Sequence, residues 1–278
     1  MSTIHQRFAA LVQGPDAEID LPRAAFAFAG HECPDLDPIP PLSLLEKLGA
    51  TARERLAGER DPFRAIDGLN ELLFEEEGFE GNRENYYDPS NSFLHQVLEQ
   101  RRGIPITLSV VWLEVAARAG LPARGVGFPG RYLVRYEADG DVGPVFLDPF
   151  EAGRILDDGN LQELLARYAG PDAVLDETNL RPATKRETLA RMLRNLKGLY
   201  ASAEAHPSLL WVVESILALE PGNPAEIRDH GMILANLERW PEALGELQSY
   251  AARMPKGEDA AEVLKTIRFV RRMAAQLN

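Results

Sequence analysis

The segment from Pro105 to Gly120 constrains the fold more than any other part of the chain. It opens with proline, closes with glycine and is apolar on nearly every side, the exceptions being Ser109, Glu114 and Arg118. A helix that is hydrophobic around its whole circumference has to be enclosed by other elements. We therefore predict a central, buried helix with further structure packed around it.

The hydrophobic period changes from 3.6 to 2 immediately after this helix. Residues 123–128, 131–137 and 144–148 are predicted to be strands, and a further short strand is predicted at 154–156. Turn-forming residues at 138–141 connect the second strand to the third. Helices followed by a small antiparallel sheet predict an α+β domain.

Helices are also predicted near the N-terminus. Residues 1–13 and 42–57 have helical patterns, and the stretch rich in Pro and Asp at 34–41 can continue neither of them. Ser43 and Glu46 fit a capping box at the start of the second helix. The first is interpreted as a helix rather than a signal peptide, because polar residues interrupt its short apolar run.

Capping residues mark the ends of further helices. One helix is predicted from a cap at Asp61 to a stop at Gly78, and another over residues 91–101. Thr184 and Glu187 form a second capping box, which predicts a helix beginning at that point.

The chain is predicted to be helical from residue 158 to its end. Pro221 and Pro255 lie 34 residues apart, each closing an apolar helix, and Gly231 and Ala243 occupy the small-residue positions where two helices touch. This spacing is typical of a tetratricopeptide-type helical hairpin. An ordinary helical bundle is the alternative.

The balance of charge argues against two classes of partner. The chain has 30 Lys and Arg residues against 43 Asp and Glu residues, which gives a net charge of −13. Nucleic acids and anionic membranes are bound by clustered positive charge, so we expect neither as a partner. No stretch of the sequence approaches the roughly 20 apolar residues of a membrane span.

The cysteine, histidine and glycine residues of the sequence do not indicate a metal-binding or cofactor-binding site. Cys33 is the single cysteine, which excludes an intramolecular disulfide, argues against a cysteine-based zinc site and fits a reducing cytoplasm. The five histidines lack the spacing of metal ligands. Gly125, Gly127 and Gly130 satisfy the dinucleotide pattern G-x-G-x-x-G, but Pro129 lies inside it and a strand follows instead of a helix. We therefore expect no metal and no cofactor.

Four strings in order carry a specific resemblance: GFEGN, YYDPSNS, RRGIPITLS and FLDPF. Together they resemble the bacterial SirB-like branch of the transglutaminase-core superfamily, most strongly over residues 60–156. The resemblance implies a transglutaminase-like, papain-like α+β core followed by an all-α tail of tetratricopeptide type.

The resemblance also implies where catalytic residues would lie. Such a site needs a Cys at the start of the buried helix, a His on a following strand and an Asp on the next strand. In this chain the thiol position falls on Pro105 or Ile106, the base position on Arg131 and the acid position on Asp148. Proline and isoleucine cannot attack a carbonyl group, and an arginine with a pKa above roughly 12 cannot act as a base at neutral pH. The positions are therefore interpreted as vestigial.

Two roles are open for the residues at these positions. Arg131 and Asp148 can form a structural ion pair across adjacent strands. Alternatively, Arg131 remains available to hold a carboxylate or phosphate in the vestigial cleft, because its guanidinium group can donate two parallel hydrogen bonds.

The loop from Gly81 to Ser92 is the second candidate binding surface. A structural explanation is also open, in which Asp88 or Asn91 caps the next helix, Pro89 fixes the turn and the tyrosines pack on the core. Amide and phenol groups in one loop equally suit a polar binding surface. The candidate residues are Asn82, Asn85, Tyr86, Tyr87, Asp88, Asn91 and Ser92.

We therefore predict a cytoplasmic, non-catalytic protein that captures a protein or peptide, basic or neutral in charge, through its tail and its degenerate cleft. Three segments are expected: 1–60 as an N-terminal helical segment packing on the core, 61–157 as the core and 158–278 as the tail. The alternative is a hydrolase or acyl-transfer enzyme with relocated catalytic groups. Its candidate participants are Thr107, Ser109, Ser92, His95 and Asp148.

Overall fold

The computed structural model describes residues 3–138 and 142–276, which form two compact units. Residues 15–192 form the core unit, whereas residues up to 14 and from 193 onward form the tail unit. The described helices are α1 (Thr3–Leu11), α2 (Leu21–Ala29), α3 (Ile39–Arg55), α4 (Pro62–Asn70), α5 (Leu94–Gln100), α6 (Pro105–Ala119), α7 (Asp158–Ala169), α8 (Glu177–Leu180), α9 (Lys185–Ser202), α10 (His206–Leu219), α11 (Pro224–Asn236), α12 (Trp240–Arg253) and α13 (Ala260–Ala275). The predicted fold class, an α+β core followed by a helical region, is confirmed.

The central helix of the core unit is α6, as its apolar sequence predicts. Proline occupies its first position, where a missing N–H costs no hydrogen bond, and Gly120 ends it in a left-handed conformation at φ 81°. Trp112 and Val115 are fully buried on this helix. The Trp112 indole donates to Asn70 Oδ1 at 3.0 Å, so its one polar atom is also satisfied.

One helix near the N-terminus was not predicted, and the predicted start of another was wrong. Helix α2 was missed, although Asp20 caps it by accepting a hydrogen bond from the Arg23 N–H at 3.0 Å. Helix α3 begins at Ile39 rather than at 42, because prolines are tolerated in the first helical turn. Ser43 and Glu46 therefore lie inside the helix and not at its cap.

Four described strands form an antiparallel sheet in the order β3 (Ala123–Val126), β4 (Leu133–Glu137), β5 (Pro144–Asp148) and β6 (Arg154–Leu156). The central register pairs Val134 with Leu147. The strand predicted from 131 begins two residues later, which leaves Arg131 in the loop before β4. Residues 139–141 of the predicted turn lie outside the described residues.

A short parallel pair joins two segments that the sequence analysis did not predict as strands. Strand β1 (Glu80–Gly81) pairs with β2 (Arg102–Gly103). Two-residue strands carry no detectable period, so no sequence signal marks them. The pairing fixes the start of the polar loop beside the start of α6.

The core unit extends past residue 157, the boundary expected from the sequence. Leu161 and Leu165 of α7 join Val126, Phe128 and Leu133 in one buried cluster with the sheet. The apolar face of α7 therefore covers the sheet, which explains why residues 158–192 lie with the core and not with the tail.

The tail unit contains the helical hairpin that the proline spacing predicts. A Cβ atom added to Gly231 of α11 would lie 2.8 Å from Leu247 Cγ of α12, and Ala243 is fully buried. Small residues thus let these two helices approach closely. Helix α1 packs against α10 within this same unit, so segment 1–60 is divided between the two units instead of packing as a whole on the core.

Candidate functional site

The start of helix α6 carries no nucleophile in the positions where the resemblance places one. Pro105 and Ile106 are both buried, and neither has a reactive side chain. Thr107 is fully buried, and its hydroxyl donates to the Asn91 carbonyl at 2.8 Å while accepting from the Ile104 N–H at 3.1 Å. This hydroxyl therefore holds the loop against the helix start.

Arg131 and Asp148 face each other across the end of the sheet. Arg131 Nε lies 3.7 Å from Asp148 Oδ2, and a second nitrogen of the guanidinium lies 3.6 Å from Glu151 Oε1. The side chains of Arg131 and Asp148 are 12% and 4% exposed. Burial raises the pKa of Asp148, although the charge of Arg131 opposes that rise. The other Asp148 oxygen accepts from the Phe150 N–H at 3.0 Å and caps the turn that follows β5.

The ring of Phe150 brings the two predicted binding surfaces together. The Arg131 guanidinium lies 5.0 Å from its centroid and that of Arg83 5.2 Å, while the Tyr86 ring packs edge-on at 5.9 Å. A Cβ added to Gly81 would lie 2.7 Å from this ring, so the backbone of β1 touches it directly. The structure thus places Tyr86 and Arg131 around one aromatic side chain.

Most polar groups of the loop are used within the loop. Asn91 Nδ2 donates to the Asn85 carbonyl at 2.7 Å, and Asn82 Nδ2 donates to Asn91 Oδ1 at 2.9 Å. Asp88 accepts from the Ser90 N–H at 2.8 Å, which caps the turn before α5. Asn82, Asn85, Asp88 and Asn91 therefore hold the loop in one conformation.

The remaining loop candidates differ in exposure. The side chain of Tyr87 is exposed and lies against the Tyr86 ring at 5.3 Å. Tyr86 is partly exposed, and burial raises the pKa of its phenol. Ser92 is buried, and its hydroxyl has no hydrogen-bond partner among the described residues. Of these three side chains, those of the two tyrosines are thus the ones that another molecule can reach.

A cavity of about 510 Å³ lies between this loop and the turn after β5. Two ion pairs line it, Arg83 with Glu151 and Arg102 with Glu80. Phe150 forms an apolar part of its wall. None of Arg83, Phe150 and Glu151 was predicted as a site residue, although Phe150 lies in the string FLDPF that carried the resemblance.

The relocated catalytic groups considered in the sequence analysis are not brought together. Ser109 is fully buried and donates to the Tyr132 carbonyl at 2.9 Å. Within the described parts of the chain, no hydroxyl is hydrogen-bonded to His95.

The described residues contain no group of three or more His, Cys, Asp or Glu side chains that can hold a metal ion. None of the described helices is long and apolar enough to span a bilayer.

Comparison with known proteins matches both parts of the chain. Residues 42–194 match the model of the transglutaminase-like superfamily, and residues 196–268 match that of the tetratricopeptide repeat. These two matches meet within three residues of the boundary between the compact units at residues 192 and 193.

Similar proteins extend over most of the chain. A UPF0162 protein of Xylella fastidiosa strain Temecula1 is 36% identical over 247 residues, which are 86% of each chain. A UPF0162 protein of Vibrio cholerae is 33% identical over 80% of this chain and 81% of its own. Protein SirB1 of Salmonella typhimurium is 30% identical over 76% of this chain and 78% of its own length. No solved structure matches the chain significantly.

Proposed function

This chain belongs to the transglutaminase-like superfamily, and on that premise we propose that it is a non-catalytic member that acts as a binding or scaffold protein in the cytoplasm. The observation that carries the proposal is the contact between Arg131 and Asp148. The resemblance assigns the position of the base to Arg131, and the guanidinium group of this residue is already engaged by two carboxylates.

The surroundings of the vestigial site support the same conclusion. The resemblance assigns the thiol position to Pro105 or Ile106, neither of which is a nucleophile, and the nearby Thr107 hydroxyl is hydrogen-bonded to backbone groups. A hydroxyl needs an adjacent base to become a nucleophile. No contact of the described residues favours the alternative of a hydrolase or acyl-transfer enzyme.

We propose two surfaces for binding a protein or peptide partner. The tail presents stacked helices of tetratricopeptide type, a repeat class that commonly offers surfaces to peptides and protein partners. The cavity beside Phe150 combines an aromatic wall with two ion pairs, and the Tyr86 ring packs against that same phenylalanine. Because the chain carries a net charge of −13, basic or neutral partners are favoured over acidic ones.

The non-catalytic part of the proposal is tested by acyl transfer to the protein. The intact chain is incubated with p-nitrophenyl acetate, and its mass is measured against a Cys33→Ser variant, which removes the incidental thiol. We expect no acyl adduct on Ser92, Thr107 or Ser109 of the variant. An adduct located on Ser92, Thr107 or Ser109, and lost when that residue is replaced by alanine, would overturn the proposal.

The binding part is tested by affinity purification with two exposed-residue variants of the full chain. Leu264→Asp alters α13 of the tail unit, and Tyr87→Ala alters the loop of the core unit. A captured protein that is lost with Leu264→Asp but kept with Tyr87→Ala supports the tail as the docking surface. Capture that is equal in both variants and the parent contradicts it.

A further inference from the structure

The outer face of helix α13 carries a charge opposite to that of the chain as a whole. The buried residues of this helix are Val263, Ile267 and Val270, and the helix packs against α12 of the tail unit. The opposite side of α13 is exposed, and we call it the α13 face; it consists of Leu264, Lys265, Arg268, Phe269 and Arg272. At 3.6 residues per turn the three basic side chains form one row, and the two apolar side chains flank it.

The positive charge of this row is not used within the described part of the chain. The tail unit has its ion pairs elsewhere, on basic residues that include Arg194, Lys197 and Arg228. None of the described carboxylates pairs with the basic residues of the α13 face. Glu262, the acidic residue of α13, lies in the first turn of the helix. The row is therefore free to pair with an anionic group of another molecule.

Two large apolar side chains are accessible beside the row. Leu264 and Phe269 are each 48% exposed. The Phe269 ring is held by an edge-on contact with Trp240 of α12, at 5.8 Å between centroids. Aromatic residues and arginine are enriched at protein–protein interfaces. The α13 face thus offers apolar contact area together with positive charge.

The total charge of the chain restricts the kind of anionic partner. The row from Lys265 to Arg272 is about 10 Å long at about 1.5 Å per residue. A short peptide contacts only this face, whereas an anionic bilayer or a nucleic acid extends past it toward the rest of a protein with a net charge of −13. The total charge favours basic or neutral partners for the protein in general, but exposed charges act over about 10 Å at physiological salt, so the row decides the charge of a partner at this face.

We propose that the α13 face binds an acidic peptide segment of another protein that also carries large apolar side chains. The carboxylates of the segment pair with Lys265, Arg268 and Arg272, and its apolar side chains cover Leu264 and Phe269. This assignment rests on the proposed docking function of the tail, for which it names the surface and the chemistry of the partner.

The test is the binding of the full chain to a fluorescein-labelled peptide, EELEEFEELEEF, followed by fluorescence anisotropy at low and high salt. A second peptide, EEGEEGEEGEEG, keeps the acidic residues and removes the apolar ones. We expect saturable binding of the first peptide that weakens at high salt, and weaker binding of the second. Absence of saturable binding refutes the assignment. Sedimentation of the chain with vesicles that contain phosphatidylserine, without binding of the peptide, would also refute it, because the face would then contact a membrane.

A matched pair of variants separates the charge of the face from the total charge. Lys265→Glu and Lys256→Glu make the same change at two exposed lysines of the tail unit, of which only Lys265 belongs to the α13 face. Lys265→Glu should weaken binding of EELEEFEELEEF roughly three- to tenfold, because an attractive contact becomes a repulsive one, and Lys256→Glu should change it less than about twofold. Equal effects of the two variants contradict the assignment.

The apolar part is tested with Leu264→Ser, an exposed position whose replacement leaves the buried side of α13 intact. This variant should weaken binding of EELEEFEELEEF and leave binding of EEGEEGEEGEEG unchanged. An unchanged affinity for both peptides would show that the apolar side chains do not take part. The docking function of the tail is judged separately, because a captured protein that is lost with Leu264→Asp supports that function even where the acidic peptide does not bind.

Discussion

Arg131 Nε lies 3.7 Å from Oδ2 of Asp148, with both side chains largely enclosed by the core unit. This distance is too long for a hydrogen bond, so the contact is one of charge, and the closest partner of Asp148 is the Phe150 N–H at 3.0 Å. Asp148, which the resemblance places at the acid position, thus contacts an arginine and caps a turn.

Replacing Asp148 with alanine should therefore destabilise the core unit. The change leaves Arg131 with Glu151 as its carboxylate partner and removes the acceptor of the Phe150 N–H. We expect a loss of about 1 to 3 kcal/mol in the free energy of unfolding, measured by urea denaturation. Asp148→Asn is the control, since it keeps an acceptor for Phe150 but removes the charge, and it should cost less than alanine. Equal midpoints for Asp148→Ala and the parent would contradict the pairing.

Because of the capping box at the start of α9, the free energy of unfolding should depend on pH in the acid range. The hydrogen bond from Arg181, opposed by partial burial and assisted by the Thr184 N–H, lowers the pKa of Glu187 to about 2. A carboxyl group whose pKa is lowered on folding stabilises the protein above its unfolded pKa near 4.5, and this contribution is lost as the pH falls toward 2. Since the side chain is 40% exposed, we expect about 1 kcal/mol or less.

Urea unfolding of Glu187→Gln between pH 2 and 6 measures this contribution. The gap in stability between parent and variant should be widest at pH 6 and should close as the pH falls. Glu163→Gln serves as a control for general charge effects. A gap that stays constant over this range would show that Glu187 acts without its charge.

Tyr132 should make stability depend on alkaline pH. Burial raises the pKa of its phenol to about 12, although the hydrogen bond with Thr188 at 2.6 Å opposes the rise. An acid whose pKa is raised on folding contributes stability that is complete below its unfolded pKa of about 10 and is lost as the pH rises toward 12. Tyr132→Phe cannot ionise, so its stability relative to the parent should rise by about 2 kcal/mol between pH 9 and 12. Parallel stability curves for the two proteins would show that the phenol does not contribute in this way.

Two glycines of the helical hairpin provide a matched pair in the tail unit. A Cβ on Gly231 of α11 meets Leu247 at 2.8 Å, whereas a Cβ on Gly245 of α12 meets nothing within 4 Å. We expect Gly231→Ala to destabilise the hairpin by about 1 kcal/mol or more, because the helices have to separate. Gly245→Ala should stabilise it by roughly 0.5 to 1 kcal/mol, because alanine favours a helix. Hydrogen exchange of the α11 and α12 amides measures both changes, and a stabilising Gly231→Ala would show that the contact is not close.

With the exception of helix α2, features that depend on local sequence were predicted well, whereas features that depend on distant partners were not. The buried helix and the strands at 144–148 and 154–156 follow from apolar patterns within one segment. The pairing of β1 with β2 joins residues 22 positions apart, and neither partner has a period of its own. Helix α2 was missed although its cap at Asp20 and its early proline were visible in the sequence.

The candidate site shows the same division. Asp148 and Arg131 were found because they fall at positions that the resemblance marks. Phe150, which gathers Arg131, Arg83 and Tyr86, was not found, because an aromatic residue after a strand gives no sign of which side chains will surround it. The roles of the loop amides were likewise open until their acceptors were located.

By itself the sequence determined the buried helix α6 and the strands that follow it, the absence of a thiol at the start of α6 and the spacing of the tail hairpin, since each depends on residue type and local period. Only the tertiary structure decided that α1 belongs to the tail unit, that α7 covers the sheet and that Arg131 is engaged by Asp148 and Glu151. The reason is physical: burial and the pairing of charges depend on which segments are in contact in the folded protein, and those contacts cannot be read from the separation of residues along the chain.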